Sequence, residues 1–235
     1  MVKFLKELLG KFGLRVGRQS ELFTFRLVNH LKRHGITNVI DVGANVGQFY
    51  FEIKSAGYEG NVISFEPLPD AHKKLIAFSK NRSDWTIYDP IAIGSSVSTT
   101  TLNIANNSAS SSIRNQTELM KKNAKFAEEI NQVKVNITTL DNALEFMNYS
   151  NCALKIDTQG YELEVLKGAG QTLKKVRLIS VELSLAELYE GQAKYHQIDE
   201  YLRSIGFRLI DLYPGFKNFD TGEVFEYDAI YEKCE

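Results

Sequence analysis

Apolar side chains recur at helical spacing near the start of the chain, at Phe4, Leu5, Leu8, Leu9 and Phe12. This spacing predicts an amphipathic helix within residues 1–20. The segment holds five basic residues and one acidic residue. Such a helix can lie weakly on an anionic membrane surface or pack on the domain or on a partner chain. We favour packing, because one short helix binds a membrane only weakly and reversibly.

A second helix is predicted from Ser20, a good N-cap residue, to Arg33, with Gly35 ending it. From residue 36 onward, short apolar runs alternate with helical patterns. The predicted strands are 36–42, 61–65, 85–93, 99–104, 133–140, 152–156, 176–183, 207–212 and 224–231, and the predicted helices are 49–56, 70–80, 116–130, 161–167 and 195–204. We therefore divide the chain into an N-terminal helical extension, residues 1–35, and one domain, residues 36–235.

The alternation of strands and helices predicts an α/β fold in which helical crossovers join parallel strands. The last two predicted strands have only a turn-rich loop between them, so we expect them to pair antiparallel. The sheet is thus predicted to be mostly parallel, with a C-terminal antiparallel hairpin.

Composition narrows the class of protein. The 235 residues carry a net charge of -1, which disfavours a broad basic face for nucleic acid. No apolar run has the length of about 18 residues that a transmembrane helix needs. The two cysteines, Cys152 and Cys234, cannot form a disulfide framework, and the first residues lack the apolar centre of a secretory signal. We expect a cytoplasmic protein, and peripheral contact with a membrane through residues 1–20 stays open as an alternative.

The first chemical motif is a glycine loop at the end of a predicted strand, with Asp41, Gly43, Asn45 and Gly47. Glycine lets the backbone turn sharply and approach a ligand closely. The helix that follows directs its free N–H groups to the same place. A dinucleotide-binding loop would have glycine at the position of Asn45, so this loop fits a methionine-type amino acid better than a pyrophosphate.

The second motif is Glu66 and Pro67, which follow the strand 61–65. A carboxylate about 20 residues beyond a glycine loop can accept hydrogen bonds from both hydroxyls of a ribose. Pro67 ends the strand. A solvated strand end is the alternative, but next to the glycine loop we predict that Glu66 is a ribose ligand.

The third motif is an apolar strand that ends in Asp157, with Gly160 turning the chain into the next helix. Lys155 and Asp157 are two positions apart and share one face of the strand. A lysine in a central strand is costly unless it is paired, and its expected partners are Asp41, Asp157 and Glu182. Asp157 is predicted to act at the reaction centre, and capping of the helix is the alternative.

Together, residues 41–47, 65–67 and 155–162 resemble the motifs of FkbM-type methyltransferases, and the resemblance runs from about residue 36 to residue 231. It includes the turn 92–94 and the segment 111–113. The resemblance implies a class I methyltransferase fold with a Rossmann-like sheet, S-adenosylmethionine as methyl donor, and O-methylation of a hydroxyl, often on a sugar or natural product. Many members have Glu where this chain has Gln159, which makes Asp157 the better candidate for the base.

These motifs define an expected site. Asp157 is the predicted catalytic base, Glu182 is the second candidate, and His196 is a weaker one because a single histidine on a helix is more often at the surface. The predicted cofactor-binding residues are Asp41, Gly43, Asn45, Gly47, Glu66, Pro67, Ala92 and Asp157. Ser111, Ser112 and Gln159 are predicted to bind the acceptor, which we expect to be a hydroxyl-bearing small molecule or glycan and not a nucleic acid. No metal is expected, because the sequence has no tight cluster of aspartates.

Two other classes of function stay open. An NAD-type oxidoreductase could use a similar sheet, but the loop lacks the dinucleotide pattern and the terminal hairpin does not suit it. A non-catalytic module could keep the nucleotide pocket for assembly, but the chain has Asp41, Glu66 and Asp157 all in place. The oligomeric state is not predicted.

Overall fold

The computed structural model of the chain describes residues 22–147 and 149–234. The helix predicted within residues 1–20, with its membrane contact, lies outside these described residues. The first described helix, α1 (Phe23–Arg33), has no side-chain cap at its N-terminus. The predicted start at Ser20 lies outside the described residues.

Helix α1 packs against the rest of the domain through both apolar and charged contacts. Leu27, Val28 and Leu31 are buried. On its other side, the Nε atom of Arg26 donates to Oδ2 of Asp211 at 2.8 Å. The described part of the predicted extension thus shares the core of the domain, and the boundary at residue 35 stays a prediction.

The main sheet contains seven strands. They are β1 (Asn38–Val42), β2 (Asn61–Phe65), β3 (Trp85–Ile87), β7 (Cys152–Ile156), β8 (Val176–Ser184), β9 (Phe207–Pro214) and β10 (Glu226–Lys233). Their order is β3-β2-β1-β7-β8-β10-β9. Strand β10 runs antiparallel to both of its neighbours, and the other pairs are parallel. The mostly parallel sheet with a C-terminal antiparallel hairpin is confirmed.

The remaining elements cover the sheet and form a small second sheet. The further helices are α2 (Gln48–Ser55), α3 (Pro69–Ser79), α4 (Glu118–Asn123), α5 (Leu140–Ala143), α6 (Glu162–Lys167), α7 (Thr172–Lys175) and α8 (Tyr195–Ser204). The second sheet has β6 (Glu129–Thr138) between β4 (Ala92–Ile93) and β5 (Ser98–Ala105).

The core lies on both faces of the main sheet, because successive residues of a strand point to opposite faces. One layer, against α1 to α3, contains Val39, Val62, Ala153 and Leu178. The other, against α5 to α8, contains their neighbours Ile40, Ile63, Leu154 and Ile179. Burial on both faces explains why the central strands are near-continuous apolar runs.

The prediction of a single strand over residues 85–93 is wrong. Strand β3 ends at Ile87 and pairs with β2, whereas Ala92 and Ile93 pair with β6 in the second sheet. Pro90 lies between them. Proline has no N–H for a ladder, so the chain leaves one sheet there and enters the other.

The long helix predicted over residues 116–130 is also wrong. The helix ends at Asn123, one turn of 3₁₀ helix follows, and β6 starts at Glu129, earlier than the predicted strand at 133. Pairing with β5 takes the residues from 129 onward into a sheet, and tertiary pairing commonly overrides helix propensity.

Replacing Leu31, which is 1% exposed, by alanine should lower the free energy of unfolding by about 2–5 kcal/mol, because a buried leucine leaves a cavity. The matched variant Leu22→Ala, at a half-exposed position, should change it by less than about 0.5 kcal/mol. Urea denaturation measures both. If the Leu31 variant unfolds like the wild type, α1 is an appendage and not part of the core.

Candidate active site

Lys155 connects the ends of the two central strands. It lies beside Asp41 in the parallel register of β1 and β7, and its side chain is 11% exposed. The Nζ atom is 3.0 Å from Oδ1 of Asp41 and 3.7 Å from Oδ2 of Asp157, and it donates to the carbonyl oxygen of Gly43 at 2.9 Å. Burial lowers the pKa of Lys155, but the carboxylates of Asp41 and Asp157 outweigh burial and raise it. The predicted pairing of Lys155 is confirmed for Asp41 and Asp157.

The glycine loop packs directly on the loop that follows β7. Gly43 has a φ of +81°, and a Cβ atom there would lie 1.9 Å from the carbonyl oxygen of Asp157. Only glycine fits this position. The N–H groups of Gly43 and Ala44 both donate to the carbonyl oxygen of Phe65 at 3.1 Å, which ties the loop to β2.

Glu66 lies just after β2 and is 4% exposed. Its Oε2 accepts from the N–H of Asn45 and its Oε1 from the N–H of Leu68, both at 2.8 Å. Burial raises the pKa of Glu66 to about 7, although these two hydrogen bonds act to lower it. Each carboxylate oxygen can accept a second hydrogen bond, so Glu66 can still bind two neighbouring hydroxyls.

The side-chain amide of Gln159 joins the two predicted catalytic carboxylates. Its Nε2 atom donates to Oδ1 of Asp157 at 2.9 Å and to Oε2 of Glu182 at 3.1 Å. The Asp157 side chain is 44% exposed, so it can reach a ligand. Burial raises the pKa of Glu182 well above its ordinary value, and the nearby Glu226 and Asp157 raise it further.

Strand β10 adds two more acids beside this pair. Asp228 lies opposite Glu182 in the register, and Glu226 follows two positions away on the same face. Burial, with Asp157 adding to it, raises the pKa of Asp228 to about 6. Burial, with Glu162 and Asp157 adding to it, raises the pKa of Glu226 to about 8. Some of these carboxyl groups therefore hold protons near neutral pH.

Two cavities meet at this edge of the sheet. The apolar cavity is lined mainly by Phe65, Leu68, Ile91, Ala92 and Ile93, with Glu66 and Pro67 at its wall. The acidic cavity is lined by Glu52, Asp157, Glu182 and Asp228, with Lys155 and Phe49 beside them. Four residues line both cavities: Gly43, Asn45, Ala109 and Asp157. The two cavities are thus adjacent, and Asp157 lies where they join.

Three candidate site residues, Asp41, Gly47 and His196, line neither cavity. Asp41 is fully buried, accepts from the hydroxyl of Ser64 at 3.1 Å, and lines neither cavity. Gly47 also lines neither cavity; a Cβ atom there would lie 2.5 Å from the ring of Trp85. Both residues therefore support the loop from inside. His196 is exposed on α8 and lines neither cavity.

The predicted acceptor-binding residues line the apolar cavity together with Glu66. The hydroxyl of Ser111 accepts from the N–H of Ala105 at 3.1 Å. The hydroxyl of Ser112 donates to the carbonyl oxygen of Gln159 at 2.6 Å. These contacts hold the loop in place, and acceptor binding by Ser111, Ser112 and Gln159 stays a prediction.

Three further residues reach the site from distant parts of the chain: Ser108, Tyr189 and Asp228. Ser108 lies in the polar segment 106–112, which the sequence predicts to border the acceptor pocket, whereas sequence reasoning missed Tyr189 and Asp228. Ser108 donates to Oδ1 of Asn45 at 2.8 Å and brings Ala109 over the junction of the cavities. Tyr189 donates to Oε1 of Gln159 at 2.8 Å. Asp228 carries a carboxylate in the acidic cavity. Asp228 lies within the predicted strand 224–231, where a carboxylate beside the apolar residue Ala229 could have indicated it. Nothing in the local sequence points to Tyr189.

The residues present fit S-adenosylmethionine. Glu66 has acceptor positions for the ribose hydroxyls, and the apolar cavity beside it suits the adenine ring. The fold is that of the class I methyltransferases, which use this cofactor. Within this class, the chain belongs to the FkbM methyltransferase family: the family model described as Methyltransferase FkbM domain matches residues 41–209. The protein is therefore an S-adenosylmethionine-dependent methyltransferase.

Solved structures support the fold. An rRNA methylase from Streptococcus thermophilus has a TM-score of 0.50 and 11% identity, with 89% of this chain and 95% of that chain covered. A magnesium protoporphyrin IX methyltransferase from Synechocystis PCC 6803 with bound S-adenosylmethionine has a TM-score of 0.51 and 11% identity, with 90% of this chain and 78% of that chain covered. At these identities the likeness shows the fold alone. No curated protein sequence matches the chain.

Within 22–147 and 149–234, no helix is long and apolar enough to cross a membrane. In the same ranges, no group of three or more His, Cys, Asp or Glu side chains is arranged to hold a metal ion.

Binding of S-adenosylmethionine should weaken as the pH falls below about 7. The pKa of Glu66 is raised to about 7, so its carboxylate takes up a proton below that pH and loses acceptors for the ribose hydroxyls. Calorimetry across this range, with Glu66→Gln as control, measures the effect. The variant should bind more weakly, by about 1.5–3 kcal/mol for each hydrogen bond lost, and without this pH dependence. Wild-type affinity that does not change with pH would contradict the assignment of Glu66.

Replacing Lys155 by methionine should lower the free energy of unfolding by about 3–5 kcal/mol, because the buried carboxylate of Asp41 then has no group of opposite charge beside it. The double variant Asp41→Asn/Lys155→Met removes both charges and should recover part of this loss. Urea denaturation of the two variants measures how much the ion pair between Lys155 and Asp41 contributes to the free energy of unfolding. Wild-type stability in the single variant would show that Asp41 does not need Lys155.

Proposed function

We propose that the protein transfers a methyl group from S-adenosylmethionine to a hydroxyl oxygen of a sugar, glycan or natural product. The observation that carries this proposal is the position of Asp157, which lines both the apolar cavity and the acidic cavity. A partly exposed carboxylate at this junction can contact an acceptor hydroxyl beside the methyl donor. The resemblance of residues 155–162 to the FkbM motif supports the same role.

The two cavities divide the work in this proposal. The apolar cavity, with Glu66 at its wall, holds the adenosine part of the cofactor. The acidic cavity admits the acceptor. Ser111 and Ser112 line only the apolar cavity, so in this proposal they lie beside the cofactor and not beside the acceptor. Gly43, Asn45 and Ala109 line both cavities, so the reacting groups can meet there. Alignment of the two reactants and exclusion of water then provide most of the rate enhancement.

Asp157 is better suited than Glu182 to accept the proton of the hydroxyl. When bound, S-adenosylmethionine supplies a methyl group already activated by a positively charged sulfur. A neutral hydroxyl is a poor nucleophile, so its proton must leave as it attacks. Burial raises the pKa of Glu182 well above its ordinary value, so Glu182 tends to hold a proton. Oδ1 of Asp157 is engaged by Gln159, so Oδ2 is the atom we assign as base.

The charge of the acidic cavity supports an uncharged acceptor and argues against nucleic acid. Glu52, Asp157, Glu182 and Asp228 face the cavity. Among the described residues that line this cavity, only Lys155 carries an ammonium group, and it is already paired with Asp41 at 3.0 Å. A phosphate-rich acceptor would meet repulsion from those carboxyl groups that are ionised, whereas hydroxyls can donate hydrogen bonds to them.

The acceptor class can be tested with methyl-labelled S-adenosylmethionine and cell extract separated into small-molecule, glycan and RNA fractions. We expect label in a small-molecule or glycan fraction, in a methyl ether identified by mass spectrometry. Label in RNA, or on nitrogen or carbon, would overturn the proposed acceptor. No transfer to any fraction, together with intact cofactor binding, would favour the non-catalytic module. Calorimetry with NAD tests the oxidoreductase.

Asp157→Asn should lower turnover of the acceptor found in that experiment by about 10²–10⁴-fold, because general base catalysis contributes about that much. Affinity for S-adenosylmethionine should change little. Asp70→Asn, at a side chain that is 94% exposed on α3, is the matched control and should leave turnover unchanged. If the Asp157 variant keeps its turnover, the base lies elsewhere and Asp157 is structural.

A further inference from the structure

The orientation of the Gln159 amide is fixed by a tyrosine. A glutamine side chain has one acceptor end and one end with two N–H donors. The hydroxyl of Tyr189 donates to Oε1 of Gln159 at 2.8 Å. The amide nitrogen is therefore left to donate to Asp157 and Glu182, at 2.9 and 3.1 Å. The hydroxyl of Tyr189 also donates to the carbonyl oxygen of Ser110, at the longer distance of 3.2 Å. If the amide were reversed, its oxygen would face Asp157 and Glu182, and both hydrogen bonds to these carboxyl groups would be lost.

Tyr189 is itself held rigidly. It is fully buried, and Oε1 of Gln192 accepts from the N–H groups of Leu188 and Tyr189. Its loop approaches Gln159 closely because residue 160 is glycine: a Cβ atom there would lie 3.0 Å from the Cβ of Tyr189, and φ is +94°. The ring position is thus set before any ligand binds.

The backbone of Gln159 is held as firmly as its side chain. Its φ of +55° is a left-handed value that non-glycine residues rarely adopt. The hydroxyl of Ser112 donates to its carbonyl oxygen at 2.6 Å, and the Nε atom of Arg114 donates to the next carbonyl, that of Gly160, at 2.8 Å. A strained residue that its surroundings hold from several sides is typical of a functional site.

We propose that Tyr189 is a positioning residue that acts through Gln159. By holding the amide oxygen, Tyr189 keeps the amide nitrogen on Oδ1 of Asp157 and Oε2 of Glu182. This fixes the direction of the Asp157 carboxylate and leaves its Oδ2 atom for the acceptor hydroxyl. The inference rests on the proposed function, in which Asp157 is the base.

The carboxyl pair is surrounded by other charged groups, which any change of pH also affects. Those that face Asp157 and Glu182 from the neighbouring elements are Lys155, Glu162, Glu226, Asp228 and Tyr189. Gln159 is the only residue that donates a hydrogen bond to both carboxyl groups among the described contacts. Loss of its orientation should therefore disturb the position of both carboxyl groups together.

The kinetic test is Tyr189→Phe, with Tyr231→Phe as matched control. Both tyrosines are fully buried and donate one hydrogen bond to a side chain, but the partner of Tyr231 is Asp199, outside both cavities. We expect kcat to fall by about 10-fold to 100-fold in the Tyr189 variant, with affinity for S-adenosylmethionine unchanged. The Tyr231 variant should keep its kcat. Equal effects of the two substitutions would overturn the proposal.

A second measurement does not need catalysis. Carboxyl carbon NMR of the labelled protein follows the titration of Glu182 directly. We expect Tyr189→Phe to raise the pKa of Glu182 further, because its ionised carboxylate loses a hydrogen-bond donor, and Tyr231→Phe to leave it unchanged. An unchanged midpoint of Glu182 in Tyr189→Phe would overturn the positioning role. If Tyr189→Phe shows this shift but the wild-type protein transfers no methyl group, the proposed function fails and the positioning role stands.

Discussion

The ammonium group of Lys155 is the contact on which the site depends. It pairs with the buried carboxylate of Asp41, lies 3.7 Å from Oδ2 of Asp157, and donates to the carbonyl oxygen of Gly43. These contacts join residues as many as 114 positions apart in the sequence, from Asp41 to Lys155. The ends of β1 and β7 are thereby held at one height, so the glycine loop and Asp157 pack against each other. The apolar and acidic cavities meet at that contact.

Much of this arrangement could be predicted from the sequence, because each part of it has a local cause. An apolar run followed by Asp41 and Gly43, or by Asp157 and Gly160, specifies a strand end and a turn within a few residues. The two-residue spacing of Lys155 and Asp157 puts them on one face whatever surrounds them. Parallel strands bring their carboxyl ends to one edge, so the motifs had to come together there.

The errors came where long-range pairing decides the structure. Residues 116–130 have helical composition, yet those from Glu129 onward pair with β5, and no local pattern announces a partner strand. Residues 85–93 read as one strand, but the two halves belong to different sheets. Tyr189 was missed for the same reason. Its hydroxyl matters only because a distant loop is folded against Gln159, and in the sequence it is one apolar residue beside Leu188.

The position of β10 between β8 and β9 has a consequence for biosynthesis. This strand is the last one described, yet it fills a gap inside the sheet and carries Asp228 to the acidic cavity. Until the ribosome has released it, β8 has an open edge whose unpaired backbone groups can capture another chain. Such late, long-range pairing is slow and exposed to aggregation. The strand that completes the acidic cavity therefore also covers the edge of β8 and protects the newly made chain from pairing with other chains.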